Sequence, residues 1–297
     1  MPERDPHDVL RALRPTCEYF VGIDSDGCAF DTMEPKQKEV FCPVTVWKWG
    51  LMAASKYARE VWLFVNLYSK TRGCNRFHAL DHAMDLLRER PEVKRRGVAV
   101  PPMASLKAWL ARETKLGNPA LEAEVARTGD PELARCLDWS ATINARVSEA
   151  IKGIPPFPGV RESLELLAGK ADCIVVSATP SEALEREWRE HGLADHMAII
   201  AGQEMGSKAE HLKLAAGGKY PPEKVLMVGD APGDMKAARA NGVLFYPINP
   251  GAEEASWERF VGEAAPRFLA GEYTREYEAA LIAEFDQVLP DRPPWKV

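Results

Sequence analysis

Short, continuous apolar runs recur along the chain, and each is followed closely by a polar or glycine-containing turn. The first, "YFVGI", leads into "DSDG", and the others are "CIVV", "AIIA", "VLMV" and "VLFY". Helical patterns such as "SEALEREWREHG" and "GDMKAARANG" lie between them and end at glycine, a common signal for the end of a helix. Apolar strands that alternate with helices indicate a parallel sheet covered on both faces. The sequence therefore predicts an α/β core.

The segment from 33 to 154 has a different pattern, rich in helix formers and tryptophan and without a series of strands. "VTVWKWGLMAASKYAREVWLFVNLY" and "RFHALDHAMDLLRER" have the period of long amphipathic helices, and "IPPFPGV" then marks the return to the core. We predict an all-helical domain, residues 33–154, inserted after the first strand of a core formed by residues 1–32 and 155–297. Helical spacing predicts that its tryptophans are interior: Trp47, Trp49, Trp62, Trp109 and Trp139.

Composition limits which partners this protein is expected to bind and in which cellular compartment it is expected to occur. The net charge of −6 argues against a dedicated nucleic-acid binder, which usually carries a basic face. No apolar run approaches the ~20 residues that a membrane helix needs, and "MPERDPHDVLRALRPT" lacks the apolar segment of a signal peptide. None of the six cysteines forms a C-x-x-C pair, so we expect reduced thiols in a cytoplasmic protein with neither nucleic-acid nor membrane partners.

Polar side chains that suit phosphate chemistry lie just beyond the predicted strands. Ligands of open parallel sheets bind beyond the carboxyl ends of the strands. Carboxylates from two strands can hold a hard cation such as Mg²⁺, and that cation would offset the repulsion between neighbouring acids. A hydroxyl and an ammonium can bind phosphoryl oxygens, and a carboxylate can attack phosphorus to form an acyl phosphate. The residues in these places are Asp24, Asp26, Ser177, Lys208, Asp230 and Asp234.

The motifs "DSDG", "VVSAT", "GSKAEHL" and "GDAPGD", in this order and at strand ends, resemble those of the haloacid dehalogenase-like superfamily in its phosphotransferase branch. The segment "FPGVRESLELL" is also similar to that family, and the resemblance covers about residues 19–31 and 155–249. It implies a Rossmann-like core and a mobile helical cap, of the type called C1, at the position of the predicted insert.

The resemblance also implies roles for individual residues. Asp24 would be the nucleophile, and Asp26 would protonate the leaving oxygen and then deprotonate the hydrolytic water. Ser177 and Lys208 would bind the phosphoryl group. Mg²⁺ would be held by Asp24, the backbone carbonyl of Asp26 and Asp230, with Asp234 a direct or indirect ligand. An acid at the position of Asp26 favours phosphate esters over the dehalogenase and phosphonatase chemistries of the superfamily.

The expected activity is therefore Mg²⁺-dependent hydrolysis of a small phosphorylated metabolite through an aspartyl-phosphate. The same core residues would serve a phosphomutase, and a non-catalytic binding protein with this fold is a further alternative. Thr179 is an alternative to Ser177 as the phosphate ligand, and Lys213 is an alternative to Lys208. Cys28 stands where the family usually has threonine or valine, a position that we expect to support the loop.

The segment "YSKTRGCNRFH" interrupts two predicted helices and gathers cations: Lys70, Arg72, Arg76 and His78. One interpretation is that Lys70, Arg72 and Arg76 recognise an anionic substrate, and the other is a solvated turn whose cations follow a helix end. His78 and His82 have the spacing of a zinc pair but lack the "HExxH" glutamate and an evident third ligand, so we expect ordinary histidines. The sequence identifies neither the substrate nor the oligomeric state.

Overall fold

The apolar runs form one parallel sheet. A computed structural model describes residues 5–295 and shows five strands in the order β3-β2-β1-β4-β5. The predicted α/β core is thus confirmed. The strands are β1 (Tyr19–Ile23), β2 (Ala171–Val176), β3 (Ile199–Ala201), β4 (Val225–Gly229) and β5 (Leu244–Pro247).

Both faces of the sheet are covered, which explains why its strands are mostly apolar. β2, β4 and β5 are buried along their whole length. Val21 and Ile23 of β1 belong to a hydrophobic cluster that includes Trp188 and Trp257. Phe20, which points to the opposite face, belongs to a second cluster. Because most strand side chains meet a core on one face or the other, the strands show no regular alternation of polar and apolar residues.

The register of the three central strands determines which of the residues that follow them lie side by side. Ile23 at the end of β1 lies opposite Val175 of β2 and Val228 of β4. The residues that leave these three strands therefore meet at one edge of the sheet, which is the carboxyl edge because all pairs are parallel.

Helices flank this sheet along the chain. The segments predicted from "SEALEREWREHG" and "GDMKAARANG" are helical, as expected. The α-helices of this part of the chain are His7–Ala12, Val160–Leu167, Ser181–Glu190, Lys208–Ala215, Pro232–Ala240, Glu253–Arg259, Ala265–Leu269 and Arg275–Val288. Shorter turns of helix are Ala194–His196, Gln203–Met205, Pro222–Lys224 and the π-helical Phe260–Ala264. Among residues 5–295, no helix has both the length and the apolar character to cross a bilayer.

The segment after residue 33 is helical, and no strand occurs among its described residues up to 152. The prediction of one long helix around "VTVWKWGLMAASKYAREVWLFVNLY" is wrong, because the chain turns at Gly50, whose φ is +68°. "RFHALDHAMDLLRER" does form a single helix. The helices here are Met33–Pro35, the π-helical Lys36–Phe41, Cys42–Lys48, Met52–Ala54, Ser55–Asn66, Arg76–Glu89, Pro91–Arg95, Ala104–Leu110, Asn118–Thr128 and Pro131–Ala150.

Tryptophans form much of the interior of this helical region. The rings of Trp62 and Trp139 meet edge to face at 6.2 Å, and the indole of Trp139 donates to Thr45 Oγ1 at 2.9 Å. Trp49 and Trp109 are also buried, as predicted. Trp47 is an exception, because it is 62% exposed on the outer face of the short helix that ends before Gly50.

Contacts along the chain group into two compact units, residues 5–33 with 153–289, and residues 34–152 with 290–295. The C-terminal boundary differs from the predicted one, because the chain from Pro290 onward packs with the helical unit. Trp295 accounts for this, since its ring meets Phe64 at 5.5 Å and the Arg90 guanidinium at 4.6 Å.

Candidate active site

Asp24 is the first residue beyond β1 and is almost completely buried. Its backbone N–H donates to the carbonyl of Val228 at 3.0 Å, which continues the pairing of β1 with β4. One carboxylate oxygen, Oδ1, accepts from the backbone N–H of Ser25 at 2.8 Å. The other, Oδ2, lies 2.8 Å from the ammonium of Lys208. The side chain is therefore held in one orientation at the edge of the sheet.

Asp26 is half-buried in the turn that follows. The turn closes through Gly27, which has a φ of +79° and donates to the carbonyl of Phe30 at 2.8 Å. The carboxylate of Asp26 accepts from Thr32 Oγ1 at 2.5 Å and from Thr179 Oγ1 at 2.8 Å. Two hydroxyl groups therefore hold the carboxylate of Asp26, whereas the carboxylate of Asp24 is held by a backbone N–H and by the ammonium of Lys208.

Ser177 leaves β2 at the same edge and is 2% exposed. Its backbone N–H donates to the carbonyl of Ala201, and its hydroxyl accepts from the N–H of Thr179 at 3.2 Å. The hydroxyl of Thr179, the alternative phosphate ligand, is already engaged with Asp26. This geometry favours Ser177 for contact with a phosphoryl group.

Lys208 begins the helix Lys208–Ala215, just after the N-cap Ser207, whose capping box with Glu210 stabilises the helix start. Its ammonium bridges Asp24 Oδ2 at 2.8 Å and Asp234 Oδ1 at 2.6 Å. Lys213, the alternative, is exposed to solvent one turn further on. The structure therefore places Lys208, and not Lys213, among the acidic residues.

Asp230 and Asp234 come from the turn after β4. Asp234 Oδ2 accepts from the backbone N–H of Ala231 at 3.0 Å. A Cβ on Gly229 would lie only 2.4 Å from Cβ and Cγ of Asp234, so the approach of this carboxylate requires glycine at the end of β4. Asp24, Asp230 and Asp234 each offer a carboxylate oxygen, and these oxygens lie within 4.8 Å of one another.

Burial shapes the charges of this cluster. It raises the pKa of Asp24 from 3.8 to about 6, although Lys208 lowers that pKa and Asp234 raises it further. Burial also raises the pKa of Asp234, again against the effect of Lys208. Burial alone would lower the pKa of Lys208, but Asp234 and Asp24 raise it above its ordinary value. The ammonium of Lys208 contacts Asp24 and Asp234, while Asp230 adds a third carboxylate nearby, so the three acids carry more negative charge than this ammonium offsets when all are ionised.

This donor set fits a divalent cation. Oxygen ligands from carboxylates are those that Mg²⁺ binds in proteins, and a second positive charge would offset the excess negative charge of the buried cluster. The three carboxylates that could share an ion are those of Asp24, Asp230 and Asp234. The carboxylate of Asp26 accepts from two threonines and is not one of these three. The backbone carbonyl of Asp26 stays the predicted metal ligand at this residue.

Two supporting features of the loop were not expected from the sequence. Thr32, six residues after Asp26, was missed, although it lies within the same "DSDGCAFDT" stretch and is fully buried. The hydroxyl of Ser25 accepts from the indole of Trp188 at 3.0 Å and donates to Glu187 at 3.2 Å, which ties the loop to the helix Ser181–Glu190. No local sequence signal indicates this second contact.

Cys28 is part of the same support. Its thiol is fully buried and lies 3.7 Å from the carbonyl of Val228, and its own carbonyl accepts from the indole of Trp257 at 2.8 Å. Burial, followed by the charges of Asp230 and Asp24, raises the pKa of Cys28 well above its ordinary value. A thiol that stays protonated and buried agrees with the structural role expected for this position.

The predicted cations of the helical unit differ in their surroundings. Arg72 is 3% exposed and donates to the carbonyl of Leu67, at the end of the helix Ser55–Asn66. Arg76 donates to Ser140 Oγ at 3.0 Å and Asn144 Oδ1 at 2.6 Å. Lys70 is half-buried, and its backbone N–H donates to the carbonyl of Pro290.

Arg76 has no carboxylate partner among the residues that the structure describes. Its guanidinium lies over the ring of Phe41 at 5.2 Å, and burial lowers its pKa to about 10. His78 and His82 are both exposed, and within residues 5–295 no third ligand joins them as a metal site. The helical unit therefore offers Arg76, and not a zinc pair, as its candidate for anion recognition.

Comparisons with known proteins agree with these observations. Residues 114–248 match the family model for haloacid dehalogenase-like hydrolases. A phosphoglycolate phosphatase of Chromobacterium violaceum is 32% identical over 106 residues, which are 34% of this chain and 48% of that protein. The chain thus spans about half the length of this curated relative.

Solved structures also align with this chain. A hydrolase of the haloacid dehalogenase superfamily from Geobacter sulfurreducens has a TM-score of 0.39 and 19% identity, covering 80% of this chain and 89% of its own. A β-phosphoglucomutase from Clostridium difficile has a TM-score of 0.46 and 13% identity, covering 89% of this chain and 99% of its own. The match to the family model spans less than half of the chain, and together with the ordered strand-end motifs and the parallel sheet it shows a resemblance to the haloacid dehalogenase-like hydrolases.

Proposed function

We propose that the protein is a Mg²⁺-dependent phosphohydrolase that releases phosphate from a small phosphorylated metabolite through an aspartyl-phosphate on Asp24. One observation carries the proposal. The buried Asp24 carboxylate shares the ammonium of Lys208 with Asp234, and Asp26, whose carboxylate accepts from two threonine hydroxyls, lies in the turn that follows Asp24. This arrangement supports the assignment of Asp24 as nucleophile, Lys208 as phosphoryl-binding cation and Asp26 as proton carrier.

The first half of the reaction forms the aspartyl-phosphate. An oxygen of Asp24 attacks phosphorus, and the bond from phosphorus to the ester oxygen breaks. Asp26, as the carboxylic acid, gives its proton to that leaving oxygen, a transfer typically worth ~10²- to 10⁴-fold in rate. Ser177 and Lys208 donate hydrogen bonds to the phosphoryl oxygens and hold the group in line with Asp24.

The second half regenerates the enzyme. Asp26, now a carboxylate, takes a proton from water as the water oxygen attacks phosphorus. The bond between phosphorus and Asp24 breaks, inorganic phosphate leaves, and Asp26 is again the carboxylic acid. Mg²⁺, held by Asp24, Asp230 and Asp234 with the carbonyl of Asp26, would supply positive charge against the phosphoryl oxygens. Neutralisation of charge and positioning account for most of the catalysis in phosphoryl transfer.

The relative and the helical unit support a first class of substrate to test. The name of the Chromobacterium violaceum relative, phosphoglycolate phosphatase, makes phosphorylated hydroxy acids the first class to test. Substrate recognition by Lys70, Arg72 and Arg76 is a further proposal, for which Arg76 has the most suitable surroundings. The cytoplasmic location that the cysteines indicate stays a prediction.

The test is release of phosphate from a panel of phosphorylated metabolites with Mg²⁺, measured for the wild type and Asp24→Asn. The matched control is Asp195→Asn, the same change at an exposed site in the same unit. We expect release that is lost in Asp24→Asn, retained in the control, abolished by a chelator and restored by Mg²⁺. Acid-quenched wild-type enzyme should also carry one phosphoryl group on the peptide that contains Asp24.

Other outcomes would point to the alternatives. Activity near the wild-type level in Asp24→Asn would remove Asp24 as the nucleophile. Activity that persists in excess chelator would contradict the proposed requirement for Mg²⁺. Isomerisation that depends on a bisphosphate, with little net release of phosphate, would indicate a phosphomutase. No turnover in either assay would favour a binding protein with this fold.

A further inference from the structure

Both oxygens of the Asp26 carboxylate are held by hydroxyl groups. Thr32 Oγ1 lies 2.5 Å from Oδ1, and Thr179 Oγ1 lies 2.8 Å from Oδ2. The two threonines have different origins. Thr32 belongs to the same loop as Asp26, whereas Thr179 is 153 positions away, beyond the end of β2. The Thr179 contact therefore fixes Asp26 relative to a neighbouring strand, which a contact within the loop cannot do.

Thr179 is itself held on both sides. Its backbone N–H donates to Ser177 Oγ at 3.2 Å, and its carbonyl accepts from the N–H of Gln203 at 3.0 Å. A Cβ on Gly202 would lie 2.7 Å from that carbonyl oxygen and 2.5 Å from Ser181 Oγ. Glycine at 202 thus permits the close approach of the two loops that fixes Thr179.

The chemical nature of the partner matters, because Asp26 must act as an acid in one half-reaction and as a base in the other. A hydroxyl group is both a donor and an acceptor. It can donate to a carboxylate and, after rotating its hydrogen away, accept from a carboxylic acid at the same place. The hydroxyl of Thr179 can therefore hold the Asp26 carboxyl group in the same position before and after a proton transfer.

We propose that Thr179 is a positioning residue for proton transfer, which aims the Asp26 carboxyl group at the leaving oxygen through its hydrogen bond to Oδ2. The inference rests on the proposed function, since it assigns a task to Asp26 in phosphate ester cleavage. A purely structural role, in which Thr179 only links two loops, predicts a general loss of activity. A positioning role predicts a loss that depends on how much the leaving group needs a proton.

The experiment compares two kinds of substrate in Thr179→Val, which keeps the shape of the side chain but lacks the hydroxyl, and in Thr179→Ser, which keeps the hydroxyl. 4-Nitrophenyl phosphate has a leaving group that departs readily as an anion, whereas an alkyl phosphate from the panel has one that needs a proton. The measured quantity is kcat/KM, which reports the steps up to departure of the alcohol. Circular dichroism and urea unfolding check that each variant is folded.

We expect Thr179→Val to lose about ten- to a hundredfold more kcat/KM on the alkyl phosphate than on the aryl phosphate, which is less than the ~10²- to 10⁴-fold typical of general acid catalysis because Asp26 itself is still present. Thr179→Ser should recover most of that difference. Equal losses on both substrates, or no loss on either, would overturn the positioning role while leaving the proposed function intact. A wild type that releases phosphate from no ester would overturn the proposed function, and this inference with it.

A second variant covers a failure of Thr179→Val to fold. Gly202→Ala leaves Thr179 intact but forces its carbonyl away from the new methyl group. The same dependence on the leaving group is expected, because Asp26 loses the same hydrogen bond. A loss in Gly202→Ala that is equal on both substrates would count against the inference in the same way.

Discussion

The buried nucleophile should destabilise the metal-free protein as the pH rises. Burial raises the pKa of Asp24 in the folded protein from 3.8 to about 6. A carboxyl group with a raised pKa in the folded state binds more protons there than in the unfolded chain, so the free energy of unfolding falls with increasing pH between the two values. We therefore expect Asp24→Asn, which cannot ionise, to be more stable than the wild type above about pH 6.

The magnitude follows from the two pKa values. A shift from 3.8 to about 6 corresponds to about 3 kcal/mol at pH values well above both. Part of that penalty is already present at about pH 4, so the stability difference between Asp24→Asn and the wild type should grow by about 2 kcal/mol between about pH 4 and pH 7. The change with pH is more informative than either absolute value, because contacts that are lost at all pH values cancel.

The assay is urea unfolding of the metal-free proteins at several pH values, followed by tryptophan fluorescence. Asp195→Asn is the matched control, and its stability should run parallel to that of the wild type because Asp195 is exposed. Saturating Mg²⁺ should stabilise the wild type and remove the advantage of Asp24→Asn, since the cation offsets the buried charge. Parallel stability curves for Asp24→Asn and the wild type in the metal-free state would refute the reasoning.

Three further predictions test other parts of the structure. Lys208→Met should abolish turnover and lower the free energy of unfolding of the metal-free protein by about 3–5 kcal/mol, because it leaves buried carboxylates without their cation. Urea unfolding with and without Mg²⁺ checks this, and a loss that Mg²⁺ does not reduce would contradict it. Gly229→Ala should cost about 1–3 kcal/mol and most of the activity by displacing Asp234, whereas an active, fully stable variant would show that the turn after β4 adapts. Arg76→Gln should raise KM for a phosphorylated hydroxy acid more than for a neutral alkyl phosphate, whereas Arg72→Gln should mainly lower stability; equal KM values in the wild type and Arg76→Gln would remove Arg76 from recognition.

Strand-end residues could be predicted to meet because parallel strands share one carboxyl edge. This explains why Asp24, Ser177 and Asp230, distant in the chain, emerge at the same level. The choice between Ser177 and Thr179 needed the structure, since both hydroxyls follow the same strand. Only the contact between Thr179 and Asp26 shows that the second hydroxyl has another partner.

In the helical unit, the period of apolar residues did not predict the surroundings of every tryptophan. Helical spacing placed Trp47 in the interior, but its ring lies on the outer face of the short helix that ends before Gly50. The packing of Trp295 against Phe64 and Arg90 could not be predicted from the sequence either. Both depend on which surface a local element meets, and a periodic pattern specifies only that one face is apolar.

By itself the sequence determined the class of fold, the order of its strands along the chain and the set of groups available for phosphate chemistry. These follow from local patterns: the period of apolar residues, the turns that end each strand, and acids placed directly after them. Only the tertiary structure decided which carboxylates pair with the ammonium of Lys208 and which hydroxyl groups donate to Asp26. Lys208 lies between Asp24 and Asp234, and Asp26 lies between two hydroxyls, because chain segments more than a hundred residues apart meet at one sheet edge.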